Sequence, residues 1–194
     1  MYTNAITTLT LLSGLASAMP AATIAPRQAN ACFVVGNEQL PDSTAAVVEE
    51  IKNSVTCSNS DTTIDNVPDV TSGGQTFSQI DFSSSGQSPL EFALGLFQTA
   101  VPLADSNLEA FTDARNVYLA TEAGIRSTGG QFLPIKVPKF FIEMQMSRIQ
   151  TARGDPPTDP ALQVDHLRDK VTQNGAGEDQ VLLDQVIQLA TQLQ

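Results

Sequence analysis

Three charges stand where apolar side chains belong. The spacing predicts a helix over 106–127, and at about 100° per residue Leu108, Phe111, Tyr118, Leu119 and Ile125 share one face. Arg115, Glu122 and Arg126 fall within about 20° of the same direction, because steps of seven and four residues nearly complete whole turns. The expected polar face, with Glu109, Asp113 and Asn116, lies elsewhere. A buried charge is costly unless it is paired and hydrogen-bonded. Glu122 to Arg126 is the favourable i,i+4 order, and the next helix brings Lys139, Glu143 and Arg148 into range.

Three kinds of chemistry fit these residues. The first is an interior or rim ion network that fixes how two helices pack, drawing acids from residues 28–114. The second is a cationic pocket for a carboxylate, phosphate or acidic sugar, with Arg115, Arg126 and Lys136 as donors. The third is acid–base hydrolysis by Glu122 with Glu143, although two carboxylates among cations are held ionised rather than tuned apart.

Other chemistries lack their parts. His166 is the sole histidine and sits among Asp165, Arg168 and Asp169, which predicts a solvated surface position and leaves a Ser-His-Asp triad without support. No nucleophile elbow, Glu-x-x-His pair, zinc ligand cluster or phosphate-binding glycine loop is present. No metal or cofactor is expected, and no catalytic residue is assigned. There is no Asn-x-Ser/Thr sequon and no Trp, so neither N-glycans nor an aromatic sugar platform is expected.

The elements that must position the charges can be read along the chain. Phe33 to Val35 reads as a short buried strand ending at Gly36, followed by a helix from Asp42 or Ser43 to about Val55. The region 58–87 is rich in Ser, Thr, Asp and Gly. Within it 63–65, Val67 with Val70, and 77–82 alternate as strands do, around a turn at 72–75. Ser88, Pro89 and Glu91 open an apolar helix to about Val101 that should be deeply buried. Ser106 and Glu109 open the helix that carries Arg115, Glu122 and Arg126, and Gly129-Gly130 stops it. Residues 132–137 read as extended, and Pro138 starts a third helix to Gly154. Residues 155–160 form a Pro-rich linker. Residues 161–194 then form a helical hairpin expected to pack on the body, with extension or dimerisation as the alternatives.

The first 18 residues form an apolar run ending in Ala16-Ser17-Ala18, the pattern of a signal peptide, and export follows as the expectation. Residues 19–27 read as a pro-segment removed near Arg27 or as a flexible tail. In an exported chain the only two cysteines, Cys32 and Cys57, read as one disulfide. Charge is unevenly spread. Residues 28–114 hold twelve acids against Lys52 alone, 115–154 hold six bases against Glu122 and Glu143, and 155–194 hold seven acids against two bases. An acidic chain of this kind disfavours nucleic acid and anionic membrane as partners. An extracellular protein or a small anionic ligand remains as a partner class.

The stretches ACFVVG at 31–36, VPDVTSG at 67–73, FSQIDF at 77–82, EAGIRS at 122–127 and KVPKFF at 136–141 carry a resemblance. Over about residues 31–154 the chain resembles a family of uncharacterised secreted proteins of filamentous fungi. That resemblance implies a fungal, extracellular setting and no assigned activity, so no functional residue carries over. The sequence thus predicts an α+β, helix-rich domain over 28–154. A small N-terminal β-sheet with one disulfide packs on three buried helices, followed by the C-terminal hairpin. The expected function is that of a secreted, non-catalytic binding or interaction protein at a host or cell-wall surface. A small hydrolase using Glu122 and Glu143, or a structural wall or matrix component, are the alternatives.

Overall fold

The computed structural model describes residues 31–194. The expected signal peptide at 1–18 and the 19–27 segment lie outside the described residues. Helix α1 spans Asp42–Ile51, β1 Thr56–Thr62, β2 Pro68–Ser72, β3 Gln75–Thr76, α2 Pro89–Leu96, α3 Leu108–Thr128, α4 Lys136–Ala152, α5 Val164–Asn174 and α6 Gln180–Thr191. Short 3-10 turns at Ile64–Asn66, Phe77–Ile80, Phe82–Ser84, Leu103–Asp105 and Pro160–Leu162 link them.

Helix α3 is the axis of the fold. Asn107 caps it by accepting from the Ala110 amide, at 3.2 Å. Gly129, at φ +75°, ends it, with Gly129 N donating to Arg126 O and Gly130 N to Ile125 O, a Schellman pair that satisfies the last carbonyls. Helices α1 and α4 and strand β2 surround it. From Asn116 to Ile125 every α3 residue is buried. The polar face expected to hold Asp113 and Asn116 is therefore partly internal. Ser72 Oγ on β2 donates to Asp113 at 2.8 Å and accepts from Asn116 Nδ2 at 3.2 Å. Tyr118 packs edge-on against Phe77 and Phe97 and donates its hydroxyl to Ile80 O at 2.7 Å.

The sheet is antiparallel, in the order β1-β2-β3, with Cys57 opposite Val70 and a register shift before Thr62 meets Pro68. Gly73 and Gly74 make the β2–β3 turn, as the sequence predicts. The disulfide Cys32–Cys57 joins the irregular N-terminal segment to β1. On chain-entropy grounds a closed loop of 25 residues stabilises the fold by about 3 kcal/mol.

Three local expectations are corrected. Residues 33–35 are not a strand. Phe33 is fully buried, but the segment docks on the end of α3, where Gly36 N donates to Ser127 Oγ and Glu38 N to Ser127 O. Residues 77–82 are two 3-10 turns rather than a strand. Thr76 and Gln79 form a capping box, and Asp81 accepts from Ser83 N, so local side-chain bonds replace a ladder. Residues 132–137 are not extended, because α4 begins at Lys136 after a turn through Pro134. Pro138 falls in its first turn, where its missing N–H removes no intrahelical bond.

Helix α4 lies between α3 and α5. Helix α2 is the shallowest of the three body helices. Leu90 and Ala93 are fully buried, whereas Leu96 is 46% exposed. The C-terminal pair packs on the body. Val164, Leu167, Val171, Val186 and Ala190 join the same core, and Glu178 accepts from the Leu90 amide at 3.1 Å.

Candidate functional site

The charges of α3 and α4 meet along the seam between these helices and sort into two groups. In the first, Glu122 is 5% exposed and holds one cation on each carboxylate oxygen. Arg126 Nε and Nη2 donate to Oε1 at 2.9 and 2.8 Å, and Lys139 Nζ donates to Oε2 at 2.7 Å. Two aromatic plates support the cations. Arg126 lies 3.6 Å over the Phe132 ring centroid, and Lys139 lies 4.2 Å from that of Phe140. Lys136 joins the same side, 5.7 Å from the Phe132 centroid, and makes no ion pair among the described residues.

In the second group, Arg115 Nε donates to Glu143 at 3.4 Å and its Nη1 to Glu50 at 3.2 Å. Glu50 comes from α1, within the acidic block that the sequence offered as a source of partners. Burial pushes the Glu143 carboxyl up, with Lys139 and Arg115 opposing the shift.

A cavity of about 270 Å³ opens over the first group, lined by Ser43, Thr44, Glu122, Arg126, Lys136, Lys139 and neighbouring apolar side chains. Three cations against one carboxylate give its wall a net charge of +2. Glu122 is fully engaged with two of these cations and leaves Lys136 uncompensated. Burial lowers the Lys136 pKa, with Glu122 raising it and the positive charges of Arg126, Lys139 and Lys170 lowering it further. Ser43 and Thr44 lie in the first turn of α1, directly after Asp42, and bring their hydroxyls to the cavity wall.

The structure thus brings Arg126, Lys136, Lys139 and Glu122 to one cavity. Arg115 and Glu143 line a second one of about 210 Å³. Arg148 joins neither group, because it points between α4 and α6 and bonds Gln145 and the Gln192 carbonyl. The aromatic plates and the Ser43–Thr44 wall were not visible beforehand. They depend on tertiary approach, and a Phe next to a Lys in sequence gives no signal of stacking.

The family model for a domain of unknown function (DUF7143) matches residues 34–194. The chain belongs to the DUF7143 family. This span runs past residue 154, so helices α5 and α6 lie within the DUF7143 unit together with the seam they cover. No curated protein and no solved structure matches the chain. Among the described residues no helix is long and apolar enough to cross a membrane, and no group of three His, Cys, Asp or Glu is placed to hold a metal ion.

Proposed function

We propose that this DUF7143 protein is a secreted, non-catalytic binding protein of a filamentous fungus, and that the cavity over Glu122 receives a small anion. Export rests on the signal-like run at 1–18 and on a disulfide of the kind that oxidising compartments maintain. The fungal setting rests on the five shared stretches. The observation that carries the binding reading is the +2 wall of the cavity, in which the one lining carboxylate among the described residues is already held by Arg126 and Lys139. A doubly charged ligand such as phosphate or a dicarboxylate matches that surplus. Lys136 supplies an ammonium that makes no ion pair among the described residues, Arg126 a planar fork, and Ser43 and Thr44 supply hydroxyls.

The non-catalytic part rests on the ion pairs themselves. Both Glu122 oxygens are occupied by Arg126 and Lys139, and Glu143 lines a different cavity, so the two carboxylates do not flank one substrate site.

Calorimetric titration of the purified protein with inorganic phosphate and with succinate tests the binding reading. Saturable binding that weakens in Lys136→Gln and with added salt is the expected result. Absence of heat with both ligands removes it. Incubation with glycan, ester and peptide panels tests the non-catalytic part, which reproducible turnover would overturn. Retention of the native protein in the insoluble wall fraction would favour a structural component instead.

A further inference from the structure

Arg148 is a buried cation with no counter-charge among the described residues. It is 2% exposed, and no carboxylate among the described residues pairs with it. Nε and Nη2 donate to the Gln192 carbonyl at 3.2 and 2.9 Å, and Nη1 donates to Gln145 Oε1. A guanidinium has five N–H donors, so two remain without an acceptor among the described residues. Burial pushes the Arg148 pKa down, with no acid acting in the other direction. Leaving a charge in that state is expensive unless an anion completes it.

The side chain lines a cleft of about 430 Å³ between α2, α4 and α6. That falls within the range of roughly 300–1,000 Å³ found for small-molecule sites. The 98–103 loop and the end of α6 complete the lining, within which two groups of side chains matter for a ligand. Gln98, Gln185 and Gln188 bring exposed amides, each able to donate and to accept, while Leu94, Phe141 and Leu189 form an apolar floor. The residue lies nine positions beyond Lys139 on α4, about 13 Å along the helix axis, so this cleft is separate from the cationic cavity.

We infer that the α2–α4–α6 cleft is a second ligand site, for a singly charged carboxylate carrying hydroxyl groups, such as a sugar acid. One planar cation with two open donors matches one planar carboxylate in charge and geometry. A doubly charged phosphate would leave excess negative charge in a desolvated place. Hydroxyls, which both donate and accept, complement the glutamine amides, and ring or chain carbons cover the Leu94, Phe141 and Leu189 floor. The site does not depend on ligand binding at the cavity over Glu122.

Titration of the full chain with sodium glucuronate, followed by calorimetry or amide chemical shifts, tests this assignment, with glucose as the neutral control. Saturable glucuronate binding is expected, at least about tenfold tighter than glucose. Arg148→Gln should weaken it by a similar factor. Because Arg148 also holds the end of α6, Gln188→Glu provides a second variant. It places a negative charge on the exposed rim and should weaken glucuronate while leaving the fold intact. Lys136→Gln should leave glucuronate binding unchanged. No saturable binding, equal affinity for glucose, insensitivity to Gln188→Glu, or loss in Lys136→Gln would each overturn the assignment.

Discussion

Lys139 on α4 donates to Glu122 on α3 at 2.7 Å, with both side chains almost out of water. This contact, together with Arg126 on the other Glu122 oxygen, joins the architecture to the cationic cavity. The same carboxylate that accepts from two cations sets the charge left over for a ligand.

Removing that carboxylate charge should be costly. Glu122→Gln leaves Arg126 and Lys139 without their counter-charge and with a single amide oxygen as acceptor, and should lower stability by about 3–5 kcal/mol, as for other broken buried pairs. Replacing Glu122 and Lys139 together by apolar residues should cost less than the two single changes combined. Urea unfolding midpoints of the three variants check this, and additive losses would show that the pair is not coupled.

Stability should depend on pH through Glu143. Burial raises its folded-state pKa above the ordinary 4.5, so the native protein keeps this proton where the unfolded chain has released it. Stability falls as pH rises wherever the native state binds more protons. The contribution of this group is therefore complete below 4.5 and is lost as pH climbs to the folded value. Glu143→Gln should remove that decline. Urea midpoints across the acid range, compared between wild type and variant, give the answer, and parallel curves would contradict it.

Much of the helical half was legible in the sequence, because its boundaries are written in local chemistry. Ser88 caps as expected and Gly129 provides the left-handed stop, whereas α3 is capped by Asn107, one residue past the expected Ser106, whose hydroxyl accepts from Ala100 N instead. The Glu122–Arg126 pair was legible for the same reason, since four residues on a helix bring side chains together. The sheet was harder. Strand β1, TCSNSDT, is an exposed edge with no buried residue, so no apolar alternation marks it. FSQIDF has the alternation without the strand, because Thr76, Gln79 and Asp81 satisfy the backbone locally. Glu50 beside Arg115, and Phe132 under Arg126, are products of packing between distant segments.

The close approach of the N-terminal segment to α3 depends on Gly124. A Cβ there would lie 2.6 Å from Val67 Cγ1 and 2.7 Å from the Phe33 carbonyl oxygen. Gly124→Ala should therefore destabilise by about 1–3 kcal/mol despite the better helix propensity of Ala. A thermal midpoint equal to or above that of wild type would show that the N-terminal segment can yield.

The disulfide should matter for stability and leave the helical seam in place. Replacing Cys32 and Cys57 by Ser should lower stability by about 3 kcal/mol, through the freed loop in the unfolded chain. Denaturation with and without reductant measures this, and identical midpoints would contradict it.

The cationic cavity is the centre of the account, and an NMR titration of the full chain with inorganic phosphate addresses it most directly. The account predicts saturable amide shifts concentrated at Ser43, Thr44, Lys136 and Lys139, greatly reduced in Lys136→Gln. Shifts that are absent, or that scatter over the surface and grow linearly without saturating, would contradict it.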